Sequence, residues 1–155
     1  MKQFRWVVLL ACTFLIGGCS SFPREYAEAK AKLLSSSSIN GPWEGEWVSK
    51  GGHRGELRCL LSESASRRDI DAAVLYDARF EAKFWGIFTA HYAVQLVRSP
   101  AERETIVLVG DQDLGGLGGG IYHYEAIVTS TSFDTTYRSD MDQGVFHMVR
   151  PVKRN

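Results

Sequence analysis

The stretch Ile70-Asp71-Ala72-Ala73-Val74-Leu75-Tyr76-Asp77-Ala78-Arg79-Phe80 decides the fold, because apolar and charged side chains alternate along it. Successive side chains of a β-strand point to opposite faces of the sheet. The stretch therefore predicts a strand with one apolar face and one solvated face. The apolar face would contain Ile70, Ala72, Val74, Tyr76, Ala78 and Phe80, and the solvated face Asp71, Asp77 and Arg79.

Similar short alternating runs, separated by Gly, Pro, Ser and Asp, follow one another from Trp43 to the end of the chain. They predict an all-β fold, an antiparallel up-and-down meander of about eight strands without helical crossovers. Closing such a meander into a barrel would bury its apolar face and remove its exposed edges. The expected strands are Trp43–Ser49, Gly55–Ser62, Ile70–Phe80, Phe84–Val97, Thr105–Gly110, Ile121–Thr129, Ser132–Arg138 and Gly144–Arg150.

The apolar face is rich in aromatic side chains in the later strands as well. An eight-stranded barrel has an interior that is either filled by side chains or just wide enough for one small ligand. Tyrosine hydroxyls in that interior need hydrogen-bond partners, which a ligand could supply, so Tyr76, Tyr92, Tyr122 and Tyr124 are the candidate ligand-binding residues. The other inward positions are Phe84, Phe88, Ala90, Val94, Leu96, Ala126, Val128, Phe133, Tyr137, Phe146 and Met148.

The first and last strands contain a pair of residues that could join them. Gly41-Pro42-Trp43 is a Gly-x-Trp at the start of the first strand, and Arg150 ends the last one. The pattern resembles the calycins, the superfamily of lipocalins and avidins. The resemblance implies that Trp43 packs at the closed end of the barrel beneath Arg150, where a guanidinium over an indole is favourable. It also implies that the open mouth binds small apolar or amphipathic ligands.

The N-terminal residues have the composition of an export signal. Lys2 and Arg5 precede the apolar run Trp6–Ile16, and Ile16-Gly17-Gly18-Cys19 follows at its end. This order resembles the lipobox of bacterial membrane lipoproteins. The resemblance implies removal of residues 1–18 and attachment of diacylglycerol and a fatty acid such as palmitate at Cys19. Ser20 in place of Asp resembles the pattern sent to the outer membrane, which predicts a lipid-anchored protein facing the periplasm.

These features divide the chain into a signal peptide (residues 1–18), a lipidated stalk with a short helix (residues 19–40) and the β-barrel domain (residues 41–155). Pro23 suits the first turn of a helix, and the segment Arg24–Leu34 is rich in helix-forming residues. The helix could be a solvated spacer, but Tyr26, Leu33 and Leu34 need apolar cover, so we expect it to plug one end of the domain.

The balance of charges argues against a nucleic-acid partner. Lys and Arg together number 18, as do Asp and Glu, and loss of Lys2 and Arg5 with the signal would leave a slightly acidic chain. No basic excess is available to neutralise a phosphate backbone. Cys59 would be the only free cysteine of the mature chain, so we expect a buried apolar side chain and no intramolecular disulfide.

No motif predicts catalysis, a metal site or a cofactor. The loop Asp111–Gly120 lacks the Lys of a phosphate-binding loop and the closing Glu of a calcium loop. His91, His123 and His147 fall on the outward face, in no metal-ligand spacing. Glu44 and Glu46 alternate with Trp43 and Trp47 and are expected to face water.

Three functional hypotheses follow. The first is a non-catalytic barrel that holds a small amphipathic ligand at its mouth. The second is a structural or protein-interaction lipoprotein of the cell envelope with a filled barrel. The third and weakest is a hydrolase using exposed carboxylates such as Glu44 and Glu46. An interior void would favour the first, an outer apolar patch over a filled interior the second.

Cys19→Ala tests the proposed anchor. Without the thiol no lipid is attached, and we expect the variant to lose the membrane association that several acyl chains provide. Membrane fractions after salt and carbonate extraction are compared by immunoblot. A variant that stays with the membranes to the same extent as the wild type would contradict lipidation.

Overall fold

A computed structural model describes residues 21–32, 38–65, 74–99, 105–115 and 120–152. The signal peptide, Cys19, Ile70, Ala72 and most of the glycine run 115–120 lie outside the described residues. The elements are α1 (Phe22–Ala31), β1 (Gly41–Ser49), β2 (Arg54–Glu63), β3 (Leu75–Phe84), β4 (Phe88–Arg98), β5 (Ile106–Asp113), β6 (Ile121–Val128), β7 (Ser132–Arg138) and β8 (Gln143–Val149).

The eight strands form a closed antiparallel barrel in which each strand pairs with its neighbours in sequence. β1 closes the barrel against β8, from the Glu44–Val149 pair to the Ser49–Gly144 pair. The predicted all-β barrel is confirmed. We call the end with the β1–β2, β3–β4, β5–β6 and β7–β8 connections the mouth, and the opposite end the closed end.

Trp43 and Arg150 meet at the closed end in the expected contact. The Arg150 guanidinium carbon lies 3.8 Å from the centroid of the Trp43 ring. Arg150 also donates hydrogen bonds to the Pro42 and Ser38 carbonyl oxygens, and the Trp43 indole N–H donates to the Ile39 carbonyl oxygen at 3.0 Å. The Arg150 bonds tie the start of β1 and the segment before it to the residue that follows β8.

The interior contains the side chains that the alternation assigns to it. Trp43, Leu108 and Phe133 are completely buried, and the Phe133 ring meets Trp43 edge to face. Cys59 is also completely buried, as expected, and burial raises the pKa of its thiol. The outward positions of His91, His123 and His147 are confirmed by their exposure.

The connection between β3 and β4 differs from the prediction. The expected strands Ile70–Phe80 and Phe84–Val97 leave residues 81–83 as their connection, but these residues lie within β3, and the turn is Trp85-Gly86-Ile87. Trp85 and Gly86 have φ values of 51° and 73°, and the Ile87 N–H donates to the Phe84 carbonyl oxygen. Two successive positive φ values are those of a type I′ turn, in which Asn-Gly is favoured.

Phe88 and Ala90 are exposed, although they share the inward parity of β4. β4 pairs with β5 at only two positions, Val97–Val109 and Arg98–Leu108. The mouth half of β4 therefore extends beyond its pairing with β5. Side chains of inward parity in this half, such as Phe88, are not enclosed by the barrel.

Helix α1 lies on the outer flank of the barrel, so the expectation that it plugs one end is wrong. Phe22 and Tyr26 are buried with Leu60, an apolar side chain on the outward face of β2. The Tyr26 hydroxyl donates to the Trp43 carbonyl oxygen and to Glu44. Leu60 interrupts the alternation of β2, and the helix covers the apolar patch that it creates.

Ion pairs hold both ends of the helix to the sheet. Lys30 lies 3.0 Å from Glu44 on β1, and Glu25 pairs with Arg79 on β3. The Arg79 guanidinium holds the pKa of the Glu25 carboxyl below its usual value. Among the described residues, no helix is long and apolar enough to cross a membrane.

Thr135→Val tests the polarity of the interior. The Thr135 hydroxyl is buried between β6 and β8 and has no hydrogen-bond partner in the described part of the chain. A buried hydroxyl without a partner costs about 1 kcal/mol or more, so the variant should raise the free energy of unfolding by about 1 kcal/mol. Urea unfolding measures the change, and a loss of stability would show that the hydroxyl is bonded.

Candidate functional site

Four tyrosines form a cluster in the mouth half of the barrel, which we call the tyrosine cluster: Tyr92, Tyr122, Tyr124 and Tyr137. The Tyr122 ring lies 6.3 Å from Tyr124 and 6.0 Å from Tyr137. Tyr92 stacks on Phe80 at 5.0 Å, and Tyr137 lies 5.0 Å from Phe146. The interior is filled with rings at contact distance here, as aromatic pairs prefer.

Tyr76, the remaining candidate ligand-binding residue, lies apart from this cluster. It pairs with Leu96 near the closed end, whereas Tyr92 pairs with Phe80 four residues further along β3. Four residues of strand span about 13 Å. Alternation alone could not separate Tyr76 from the other candidate tyrosines, because parity assigns a side chain to a face of the sheet but not to a height in the barrel.

Burial raises the pKa of the phenols of Tyr92, Tyr124 and Tyr137. The hydroxyls stay protonated at neutral pH and can both donate and accept hydrogen bonds. The Tyr137 hydroxyl donates to the Asp142 carboxylate at 2.9 Å. The structure records no hydrogen bond for the Tyr122 and Tyr124 hydroxyls among the described residues.

A cleft opens directly above the filled interior, between the loops of the mouth, with a volume of about 670 Å³. We call it the mouth cleft. One wall consists of the aromatic rings of Trp47, Phe84 and Trp85, and the other of the β7–β8 loop with Met141 and Asp142. The rest of the lining is the polar rim: Ser49, Lys50, Gly51, His53, Ser139, Asp140 and Gln143. Apolar walls with a few polar groups are typical of small-molecule sites.

The aromatic wall is held rigidly by the backbone of two strands. The Trp47 and Phe84 rings lie 4.8 Å apart, and the Trp47 indole N–H donates to the Lys83 carbonyl oxygen at 3.1 Å. Gly55 makes this contact possible, because a Cβ there would lie 1.8 Å from the Lys83 carbonyl oxygen and 2.6 Å from the Trp47 indole nitrogen. The requirement for glycine at residue 55 positions the wall of the cleft.

A second and larger depression of about 1060 Å³, which we call the flank groove, is lined mainly by outward residues of β4–β8 and β1 and also reaches Tyr124 and Tyr137 of the tyrosine cluster. Its apolar residues are Val48, Val97, Val109 and Val145, and the last two are 40% and 48% exposed. Polar side chains separate the valines, including Asp111, His123, Glu125 and Arg138. Helix α1 covers outward residues of β1 to β4 and leaves this flank open.

The outward histidines pair with carboxylates on neighbouring strands. His91 lies 3.1 Å from Glu81, His123 lies 2.6 Å from Asp111, and His147 pairs with Asp134. Glu81 also pairs with Arg58 at 3.3 Å, and the described residues contain no group of three or more side chains that could hold a metal ion. Glu44 bonds to Tyr26 and Lys30, while Glu46 faces outward on the same strand.

Two parts of the site were missed by sequence reasoning. The bond between Tyr137 and Asp142 joins the tyrosine cluster to the mouth cleft, but Asp142 was treated only as a turn residue. Trp85 was assigned to the interior of a strand. The signal that could have located it is Trp85-Gly86, since a glycine between two apolar runs marks a hairpin turn.

Comparison of the chain with protein-family models, with curated proteins and with solved structures gives no match. The site must therefore be interpreted from its own geometry.

Tyr137→Phe tests the link between the tyrosine cluster and the mouth loop. Loss of the hydrogen bond to Asp142 should lower the free energy of unfolding by about 1 kcal/mol, the usual size for a partly buried bond. Tyr122→Phe is the matched control, because it removes a hydroxyl for which the structure records no bond. Equal stabilities of the two variants in urea would contradict a role for the bond.

Proposed function

We propose that the protein is a lipid-anchored, non-catalytic barrel that binds a small amphipathic ligand in the mouth cleft. The observation that supports this most directly is the mouth cleft itself, with three aromatic side chains on one wall and ionisable groups on its rim. Its volume falls within the usual range for ligand sites, about 300–1,000 Å³. An apolar chain would contact the rings of Trp47, Phe84 and Trp85.

The polar end of such a ligand would meet the rim. Lys50 and His53 stand on the β1–β2 side and Asp142 on the β7–β8 side, so both cationic and anionic groups are available. The filled interior below argues against a ligand that enters the barrel, as ligands do in calycins with an open lumen. The ligand site in this proposal is therefore shallow, and its walls are loops as well as strands.

The proposed location follows from the resemblance of Ile16-Gly17-Gly18-Cys19 to a lipobox. A lipid on Cys19 would tether the barrel to the outer membrane, facing the periplasm. A barrel at that surface has amphipathic molecules, including lipids and their breakdown products, within reach. Location and cleft chemistry are independent arguments for the same ligand class.

The flank groove supports a second candidate function, a protein-interaction module of the cell envelope. The observation that favours this alternative is the exposure of Val109 and Val145 within one groove. Exposed apolar groups surrounded by polar ones are common at protein interfaces. In this alternative the filled barrel is a rigid support and the mouth cleft is unused.

Met141→Glu tests the ligand site. The assay measures dansyl-labelled undecanoic acid binding to the chain beginning at Ser20, which has no lipid, by energy transfer from tryptophan. A carboxylate on the cleft wall should weaken binding about tenfold, equivalent to about 1.4 kcal/mol. Val152→Glu is the matched control, since Val152 is 75% exposed and Met141 76%, but it lies beyond the closed end.

Unchanged affinity in Met141→Glu, or the same loss in Val152→Glu, would exclude the mouth cleft as the binding site. Failure of the wild-type chain to bind the probe would favour the flank groove and the protein-interaction alternative.

A further inference from the structure

The mouth of the barrel carries an apolar surface that the fold leaves uncovered, which we call the apolar tip: Trp85, Ile87, Phe88 and Met141. The exposed fractions are 71% for Trp85, 77% for Ile87, 59% for Phe88 and 76% for Met141. The first three lie in the β3–β4 hairpin, and Met141 lies in the β7–β8 loop on the other side of the mouth cleft. Four large apolar side chains therefore project from one end of the molecule.

Trp85 stands at a position where folding alone would favour another residue. Its φ of 51° is left-handed, a conformation that Asn, Asp and Gly adopt readily and bulky residues rarely do. The indole gains little burial in return: it is 71% exposed, and its ring centroid lies 6.1–6.4 Å from those of His53, Phe84 and Phe88. A strained and exposed tryptophan indicates a contact outside the barrel.

The position of helix α1 relates this tip to the N-terminal chain. The Phe22 ring lies 5.8 Å from the His91 ring, and His91 is three residues along β4 from Phe88, or about 10 Å. Cys19 is three residues before Phe22, which limits their separation to about 11 Å. The chain length therefore keeps a lipid attached to Cys19 within about 11 Å of Phe22, and Phe22 packs against the strand that begins at the apolar tip.

We propose that the apolar tip inserts into the interfacial region of the phospholipid bilayer to which Cys19 is anchored. This inference rests on the lipid anchor of the proposed function and deepens it by orienting the barrel. Tryptophan is favoured at the membrane interface, where its ring is buried and its N–H remains hydrated. Ile87, Phe88 and Met141 add apolar surface around it.

Insertion of the apolar tip would also place the opening of the mouth cleft directly at the bilayer. Trp85 and Met141 are at once members of the apolar tip and walls of the mouth cleft. With the tip in the interface, an amphipathic molecule could pass from the bilayer into the cleft without crossing water. The rim carries both a cationic and an anionic side chain, Lys50 and Asp140. Attraction of one to a charged lipid headgroup would be offset by repulsion of the other, so apolar contact would drive insertion.

The test uses the mature lipidated protein, which begins at Cys19 and therefore lacks Trp6, reconstituted in phosphatidylcholine vesicles whose acyl chains are brominated. Bromine quenches only tryptophan that reaches the bilayer. Trp43 is completely buried and Trp47 is 7% exposed, so lipid quenching reports on Trp85. We expect quenching about threefold stronger in the wild type than in Trp85→Asn, because an interfacial indole lies next to the acyl chains.

Trp85→Asn is chosen because Asn suits the turn, so its free energy of unfolding should equal or exceed that of the wild type. Val152→Asn, which removes an equally exposed apolar residue at the closed end, should leave lipid quenching unchanged. A less stable Trp85→Asn variant would make Trp85 a structural residue and overturn the proposal.

The two quenchers give different results if water or a protein, and not the bilayer, surrounds the apolar tip. Weak lipid quenching together with full quenching by aqueous acrylamide would place Trp85 in water and overturn insertion. Protection from both quenchers would mean that a protein, such as a second copy of this chain, covers the tip, which also overturns it. Vesicle association of the lipidated chain and dansyl-probe binding at Met141 are measured separately, so the anchor and the ligand site can fail independently of the tip.

Discussion

The closure of β1 against β8 is the constraint on which the rest of the structure depends. Without it the meander would have two open edges, and the aromatic interior would be exposed along both of them. Closure is secured at one end by Trp43, which is completely buried beneath the Arg150 guanidinium. Because Arg150 also bonds to the Ser38 and Pro42 carbonyl oxygens, the start and finish of the barrel are joined through charge-assisted bonds as well as through the β-ladder.

The closed end and the mouth of the barrel differ in how their side chains are packed and exposed. At the closed end, strand pairing and the Arg150 bonds bring both chain termini of the barrel together over a fully packed core. At the mouth, β4 extends beyond its pairing with β5, and aromatic side chains such as Phe88 are exposed. The loops there enclose a cleft. The closed end holds the Trp43–Arg150 contact, whereas the mouth exposes Trp85 and Ile87, with Trp85 in a left-handed conformation.

Much of the barrel could be predicted because a period of two is a local property. The alternation in β3, β6, β7 and β8 correctly assigned Phe80, Tyr124, Phe133 and Met148 to the interior, and the Gly-x-Trp pattern led to the contact with Arg150. The candidate site was only partly predictable. Tyr92, Tyr122 and Tyr124 do meet, but Tyr76 does not, since height in the barrel depends on the stagger between strands and alternation says nothing about it.

The sequence by itself determined the strand order and the inward face, because both follow from the local alternation of apolar and polar residues. It also determined the residues that join the first strand to the last, because the Gly-x-Trp pattern and Arg150 stand at the two ends of the domain. Only the tertiary structure decided that α1 lies on the flank, where Leu60 breaks the alternation of β2 and requires cover. It also decided that the mouth holds a cleft between Trp85 and Met141. These residues are 56 positions apart in the chain: antiparallel connectivity places their two loops at the same end, and closure of the barrel brings the loops together around the cleft.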